Sequence, residues 1–298
     1  MKMSFLRPLL TTCLFGAALY YLALFCNQMT DGFSVARIHS DLPYNPSWEV
    51  PPPSTAEGQH ALARALSQNY HYLGCGGQCF AFGSEDGSYV IKFFKHKIRK
   101  PYSYLLHAPL PSFLNGVQRR KLSKIHFKLS RDFTSYKIAY EDLPEETGVI
   151  YLHLNKGDSL QQSLRITDKL GIAHHIWLDD VEFVVQRQAT LAYKHLAELM
   201  QKDAVAQARQ SLHALVSTLV KRAQKGIFDE DPQIHRNFGF SNTQPMIIDV
   251  GRFIKDPSRK DPAIYRSDLY RITKRLRAHL EETHPQLVAT LDEELHAL

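Results

Sequence analysis

The stretch GIFDEDPQIHRNFGFSNTQPMIIDVGRF, residues 226–253, decides how this chain is read. It crowds Asp229, Glu230, Asp231, Pro232, His235, Arg236 and Asn237 into one short loop. It then runs through an apolar segment into Asp249-Val250-Gly251. Ordinary connections do not need so many specific polar groups, and the loops that carry them are where binding and catalysis concentrate.

The segments on either side give this loop a setting. Upstream, DAVAQARQSLHALVSTLVKRAQKG has Val205, Ala208, Leu212, Leu215, Val216 and Leu219 at helical spacing. That helix closes on Gly226, a natural C-cap. His213 within it reads as a packed or surface residue rather than a ligand. Downstream, DPAIYRSDLYRITKRLRAHL, residues 261–280, reads as a helix with a charged outer face. Asp268 on it either bonds the backbone of the 226–253 loop or sits at the surface.

The first half reads mainly as strands. In YLGCGGQCFAFGSEDGSYVIKFFKHK, residues 72–97, Gly74, Gly76 and Gly77 form a tight turn. CFAF has strand character, EDG signals a hairpin, and SYVIKFFK is a second strand with Lys92 at its middle. Lys92 stands between Ile91 and Phe93, as in a strand that passes a cleft. Glycines let a backbone approach a phosphate closely, and a lysine neutralises it. The plainer alternative is a glycine hairpin with a solvated lysine. QRRKLSKIHFKLSRDFTSYKIAYEDL then reads as a helix, since Ile125, Leu129, Phe133, Tyr136, Tyr140 and Leu143 recur at helical spacing and Pro144 stops it. Asp132 lies near that apolar face and Glu141 on another. Either is a candidate partner for Lys92, or the charges simply form a solvated surface. GVIYLHLN, LGIAHHIWLDD and VEFVVQRQA add three strands by their β-branched and aromatic content. The expectation is a five-stranded antiparallel sheet with one long helix, followed by a helical half.

Length and composition bound the rest. The chain has 298 residues, 44% hydrophobic and 22% charged, which excludes global disorder and allows one large domain or two small ones. The net charge of +6 suits an anionic partner without choosing one. Cys75 and Cys79 have no second pair at zinc spacing, and a disulfide framework is not expected. RPLLTTCLFGAALYYLALFC, residues 7–26, is long and apolar enough for a membrane span. Bulky Phe25 before Cys26 argues against signal cleavage, so residues 7–26 are expected to be an uncleaved single-pass anchor behind a flank at 1–6. The positive-inside rule places the N-terminus in the cytoplasm and the domain outside, by a small margin. Residues 27–58, rich in Pro and Ser, read as a tether. The basic residues from Lys95 to Lys128 would suit anionic lipid; no stacking-aromatic pattern accompanies them, so nucleic acid is not an expected partner.

In order, these elements resemble the protein kinase-like fold over about residues 70–270. Gly74 and Gly76 resemble the first two glycines of the kinase loop, with Cys79 where the third would stand. Lys92 is similar to the phosphate-anchoring lysine of the third strand. Asn237 and Asp249, twelve residues apart, resemble the two metal ligands, and IIDVGRF resembles the Asp-Phe-Gly element with Val250 in place of Phe. GIFD leading to IIDVGRF is also similar to motifs of the phosphoinositide kinases. The resemblance implies an α+β, two-lobed architecture behind the membrane helix. Residues 59–188 would form an N-lobe of antiparallel sheet plus helix, and 189–298 a short helical C-lobe. It implies ATP and Mg2+ as cofactors and phosphoryl transfer to a hydroxyl acceptor, protein or lipid, because that chemistry needs mainly positioning and charge neutralisation. Gly74, Gly76, Gly77 and Lys92 would hold the nucleotide, with Asp132 or Glu141 holding Lys92. Asn237 and Asp249 would hold the metal. The base departs from the pattern: five residues before Asn237 stands Pro232, and Asp231 and Asp229 both remain candidates. That irregularity implies an alternative, an inactive pseudokinase acting as a membrane-tethered binding scaffold.

Overall fold

The computed structural model describes residues 3–39, 42–96 and 115–298. Part of the basic stretch, residues 97–114, lies outside them. The chain opens with α1 (Met3–Met29), of which Thr11–Met29 is apolar enough to cross a membrane and is nowhere buried. A helix apolar on every face has no aqueous side, unlike a surface helix of a globular domain.

Of the expected tether at residues 27–58, the described residues 30–39 and 42–58 pack against the sheet and α4 instead. A short α2 (Val35–Ile38) is followed by an irregular strap, and Phe33, Ile38, Trp48 and Val50 are all buried. Phe33 meets Phe80 and Phe82 edge-on at 5.2 and 5.3 Å. Trp48 meets Phe133 at 4.9 Å. The Pro- and Ser-rich composition describes the backbone of this stretch, but four spaced apolar anchors decide where it goes. The strap ends in α3 (Ala56–Leu66), whose first turn is capped by Thr55 Oγ1 accepting from Gly58 N at 3.1 Å.

The sheet has seven strands: β1 (Tyr70–Cys75), β2 (Cys79–Ser84), β3 (Tyr89–Phe94), β4 (Val149–His153), β5 (Ser163–Thr167), β6 (Ala173–Trp177) and β7 (Phe183–Arg187). Their order is β4-β7-β3-β2-β1-β5-β6. The five expected strands are β2, β3, β4, β6 and β7. The glycines and an irregularity between Tyr72 and Gly74 hide β1 in the sequence, and in β5 the polar Ser163, Arg165 and Thr167 leave only Leu164 and Ile166 as apolar signal. The sheet is not wholly antiparallel as expected, because β1 and β5 pair in parallel, Tyr70 with Ile166 and His71 with Thr167.

The long helix α4 (Asn115–Asp142) forms where its apolar spacing predicts, and Pro144 opens a one-turn α5 (Pro144–Thr147), where a missing N–H costs nothing. Beyond β7 come α6 (Ala192–Gln201), α7 (Val205–Gln224), the one-turn α8 (Ile234–Asn237), α9 (Pro262–Thr283) and α10 (Val288–His296). Between them, β8 (Thr190–Leu191), β10 (Phe238–Ser241) and β11 (Gln244–Ile247) form one small sheet, and β9 (Ile227–Asp229) pairs with β12 (Phe253–Lys255). Gly239 permits that small sheet: a Cβ there would stand 2.6 Å from Thr190 O.

Two apolar clusters divide the sheet's faces. The outer one joins Phe33, Ile38, Tyr70, Phe80, Phe82, Ile91 and Phe93. The inner one runs from Phe94 and Val184 through α4 into α7, α9 and α10 without a break. Successive strand residues point to opposite faces, so Ile91 and Phe93 face outward and send Lys92 inward.

Candidate functional site

Where the sheet's inner face meets the 226–253 loop, a cleft of about 570 Å³ opens. Gly76, Gly77, Lys92, Asp231, Asn237 and Asp249 are among the residues that line it. A similar cavity of about 580 Å³ lies behind the connector at Arg187–Thr190, but Glu57 is the one carboxylate lining it and no lysine does. Chemistry, rather than size, distinguishes the first.

The roof is the β1–β2 turn. Lys95 pins it from behind, with Nζ donating to Gly76 O at 2.6 Å and lying over the Phe80 ring at 4.4 Å. A Cβ added at Gly74, Gly76 or Gly77 would meet nothing within 4 Å. None of the three has a positive φ. The protein's own packing therefore does not demand glycine at these positions; Gly76 and Gly77 form a bare turn over the cleft, whereas Gly74, also expected to hold a nucleotide, lies within β1 and outside the cleft lining.

Lys92 is 8% exposed, and its Nζ donates to Ile248 O at 2.6 Å. Burial lowers its pKa, and the nearby Asp249 carboxylate partly opposes that shift. Neither expected helix partner reaches it. Asp132 bonds its neighbour Arg131 at 3.0 Å, and burial raises its pKa. Glu141 points to solvent and lies 3.8 Å from Lys137. The rotation of α4 explains this: Ser135 and Tyr136 are the residues that α4 turns toward the site. Tyr136 Oη lies 3.6 Å from Cys79 Sγ, where burial pushes the thiol pKa up to about 12. Ser135 Oγ donates to Val250 O and accepts from Phe253 N. Helical spacing marks Tyr136 as part of the apolar face but not as a site residue, and nothing in the sequence marks Ser135.

The floor is the 226–253 loop. Asp249 is exposed, with Oδ1 accepting from Gly251 N at 3.2 Å. Asn237 is buried; its Nδ2 donates to Asp231 O at 2.7 Å, and its backbone carbonyl accepts from Ile248 N at 2.7 Å. Gln78 crosses from the roof, with Nε2 donating to Gly251 O at 3.0 Å. Gly251 makes room for it, since a Cβ there would fall 1.8 Å from Gln78 Oε1.

The two candidate bases differ in setting. Asp231 lines the cleft and is paired to Arg236 at 2.8 Å, so Arg236 braces the loop. Asp229 is 1% exposed and faces Arg222 at 3.1 Å beneath the loop. Burial raises its pKa to about 6, against the pull of Arg222. Asp268 does not bond the loop backbone; it pairs with Arg259 and Arg271.

The donor set fits a hard cation. Asp249 and Asn237 offer oxygen ligands, and Mg2+ commonly takes one or two such protein groups and completes its shell with water and phosphate. Among the described residues there is no cluster of three His, Cys, Asp or Glu side chains that would form an all-protein cage.

No protein-family model and no curated protein matches the sequence. Among solved structures, the chain is similar to the bifunctional kinase-methyltransferase WbdD at 14% identity and a TM-score of 0.33, over 76% of this chain and 46% of that one. It is also similar to Rv3197 of Mycobacterium tuberculosis, solved with erythromycin, at 13% identity and a TM-score of 0.32, over 96% of this chain and 75% of that one. This chain spans less than half the length of WbdD.

Proposed function

We propose that the cleft binds ATP with Mg2+ and transfers a phosphoryl group to a hydroxyl acceptor, in a kinase-like enzyme held at a membrane by α1. On this reading the seven-stranded sheet with α4 is the smaller lobe and the later helices are the larger. One observation carries the proposal: a bare glycine turn, a buried lysine, two carboxylates and an asparagine, from distant parts of the chain, line a single cleft.

Bound Mg2+ supplies charge neutralisation across the phosphate oxygens. The chain's own groups have distinct tasks. The 76–78 turn and Lys92 bind and orient the phosphates, with Lys92 Nζ exchanging the Ile248 carbonyl for a phosphate oxygen. Asp249 and Asn237 hold the cation. Asp231 accepts the proton of the acceptor hydroxyl, because Asp229 is committed to Arg222 and sealed from the cleft.

A second reading, binding without transfer, is favoured by the absence of an α4 carboxylate on Lys92. It would make the protein a membrane-tethered scaffold that still takes up nucleotide.

Calorimetry of Mg-ATP binding to the full chain in detergent tests the first step, with Lys92→Ala and Asp249→Ala alongside. A hydrogen bond to a charged group is worth about 1.5–3 kcal/mol, so each variant should bind about ten- to a hundredfold more weakly. No binding by the folded wild type would remove both readings. Binding without ATP consumption across a panel of hydroxyl acceptors would leave the scaffold.

A further inference from the structure

The end of α1 and the outer edge of the sheet are locked together. Asp31, just past Met29, accepts from Tyr72 Oη at 3.0 Å and from Lys169 Nζ at 2.8 Å. Tyr72 belongs to β1, and Lys169 stands at the tip of the β5–β6 hairpin. The turn at Asp31 is itself tight, with Gly32 N donating to Asn27 O at 2.7 Å and Phe33 buried immediately after it. The chain therefore passes from helix to sheet without slack, and the hairpin tip stands beside the helix end.

That tip is rigid. The Asp168 carboxylate accepts from Leu170 N at 2.9 Å and Ile172 N at 3.0 Å, and pairs with His174 at 2.8 Å. Gly171 takes φ +81°, which closes the turn. The result holds two branched aliphatic side chains outward, Leu170 at 48% and Ile172 at 53% exposure. Single exposed aliphatics are common and need no explanation. Here they form the tip of a braced turn, at the end of a helix whose Thr11–Met29 stretch is apolar enough to cross a membrane and nowhere buried. The exposed face of the same hairpin sets Arg165 opposite His175 and Ser163 opposite Trp177, with no acid among the residues alternating on it. Tryptophan and basic side chains are the residues that favour the headgroup zone.

We propose that the β5–β6 tip is a second membrane contact, with Leu170 and Ile172 inserted into the lipid interface beside the end of α1. This rests on the reading of α1 as an anchor. The sheet is then held at a fixed height over the bilayer rather than swinging from a single helix.

The test uses the full chain in vesicles of phosphatidylcholine and phosphatidylglycerol, with Cys13, Cys26 and Cys75 changed to Ser and Cys79 left buried. One environment-sensitive fluorophore is attached at a time through Leu19→Cys in α1, Ala173→Cys beside the tip, or Glu282→Cys on the far helix α9. Acyl-chain nitroxides should quench the Leu19 position. Binding to the vesicles should shift the Ala173 emission to the blue and headgroup nitroxides should quench it, and neither nitroxide should affect Glu282. Adding Leu170→Asp with Ile172→Asp, both at exposed positions, should abolish the Ala173 quenching and leave the Leu19 signal unchanged. Quenching at Leu19 with none at Ala173 overturns the hairpin contact and keeps the anchor. No quenching at Leu19 removes both. Quenching at Ala173 that survives the two aspartates overturns the insertion of Leu170 and Ile172.

Discussion

Two charge arrangements lie on the same short loop and are built in opposite ways. Beneath it, Arg222 and Asp229 are 3% and 1% exposed and face each other at 3.1 Å. Above it, Lys92 is buried against a backbone carbonyl, while Asp249 is exposed and Asp231 half-exposed across the cleft. The lower arrangement is a buried ion pair in which Asp229 also accepts from Asp231 N at 3.0 Å, so it seats the loop from beneath. The upper one bears the desolvation cost of a lysine without a carboxylate in contact, which supports the proposed role of Lys92 as a phosphate ligand.

The comparison breaks most readily from below. Arg222→Ala leaves Asp229 as an unpaired buried carboxylate, and removing one partner of such a pair costs about 3–5 kcal/mol. Urea unfolding of the variant should show a loss of that size. A loss under about 1 kcal/mol would mean that the Arg222–Asp229 pair is not what seats the loop.

Ser135→Ala should cost less. Its hydroxyl serves both Val250 O and Phe253 N, so the variant strands two buried backbone groups at about 1–3 kcal/mol. It should also weaken Mg-ATP binding, because Asp249 stands in the turn that Ser135 clips to α4. A stability loss with unchanged affinity would uncouple α4 from the site.

Lys92→Met sharpens the contrast. Replacing a buried charge by an apolar chain of similar length should leave stability within about 1 kcal/mol of wild type, or raise it. Nucleotide binding should nevertheless weaken about ten- to a hundredfold. If the variant instead unfolds as Arg222→Ala does, Lys92 belongs with the structural pair and the cleft loses its main phosphate ligand.

Much of this was legible in the sequence, for reasons that also show where legibility stops. Lys92 could be placed because strand alternation is local: Ile91 and Phe93 had to face one way. Asn237 and Asp249 were legible as a pair because one hairpin joins them. The α4 partner was not, since a few residues of spacing leave the helix rotation open, and packing turned Ser135 and Tyr136 rather than Asp132 toward the cleft. The parallel pairing of β1 with β5 joins segments far apart in the chain, which no local pattern announces. Composition concealed the strap, because Phe33, Ile38, Trp48 and Val50 are too widely spaced to show a period.

The smallest effect concerns the two cysteines of the glycine-rich hairpin, which sit on either side of the boundary between fold and cleft. Cys75 is exposed at the cleft, and Cys79 is buried against Tyr136. Burial pushes the Cys79 pKa up to about 12, so at pH 7–9 almost none of it is thiolate, the reactive form. In the folded chain iodoacetamide should modify exposed Cys75 and spare buried Cys79. Mg-ATP should then slow modification of Cys75, because a phosphate chain under the 76–78 turn would cover it. The stability of the protein need not change at all. Protection that persists in Lys92→Met would place the nucleotide elsewhere, and equal reactivity of both thiols would show that the hairpin opens before anything binds.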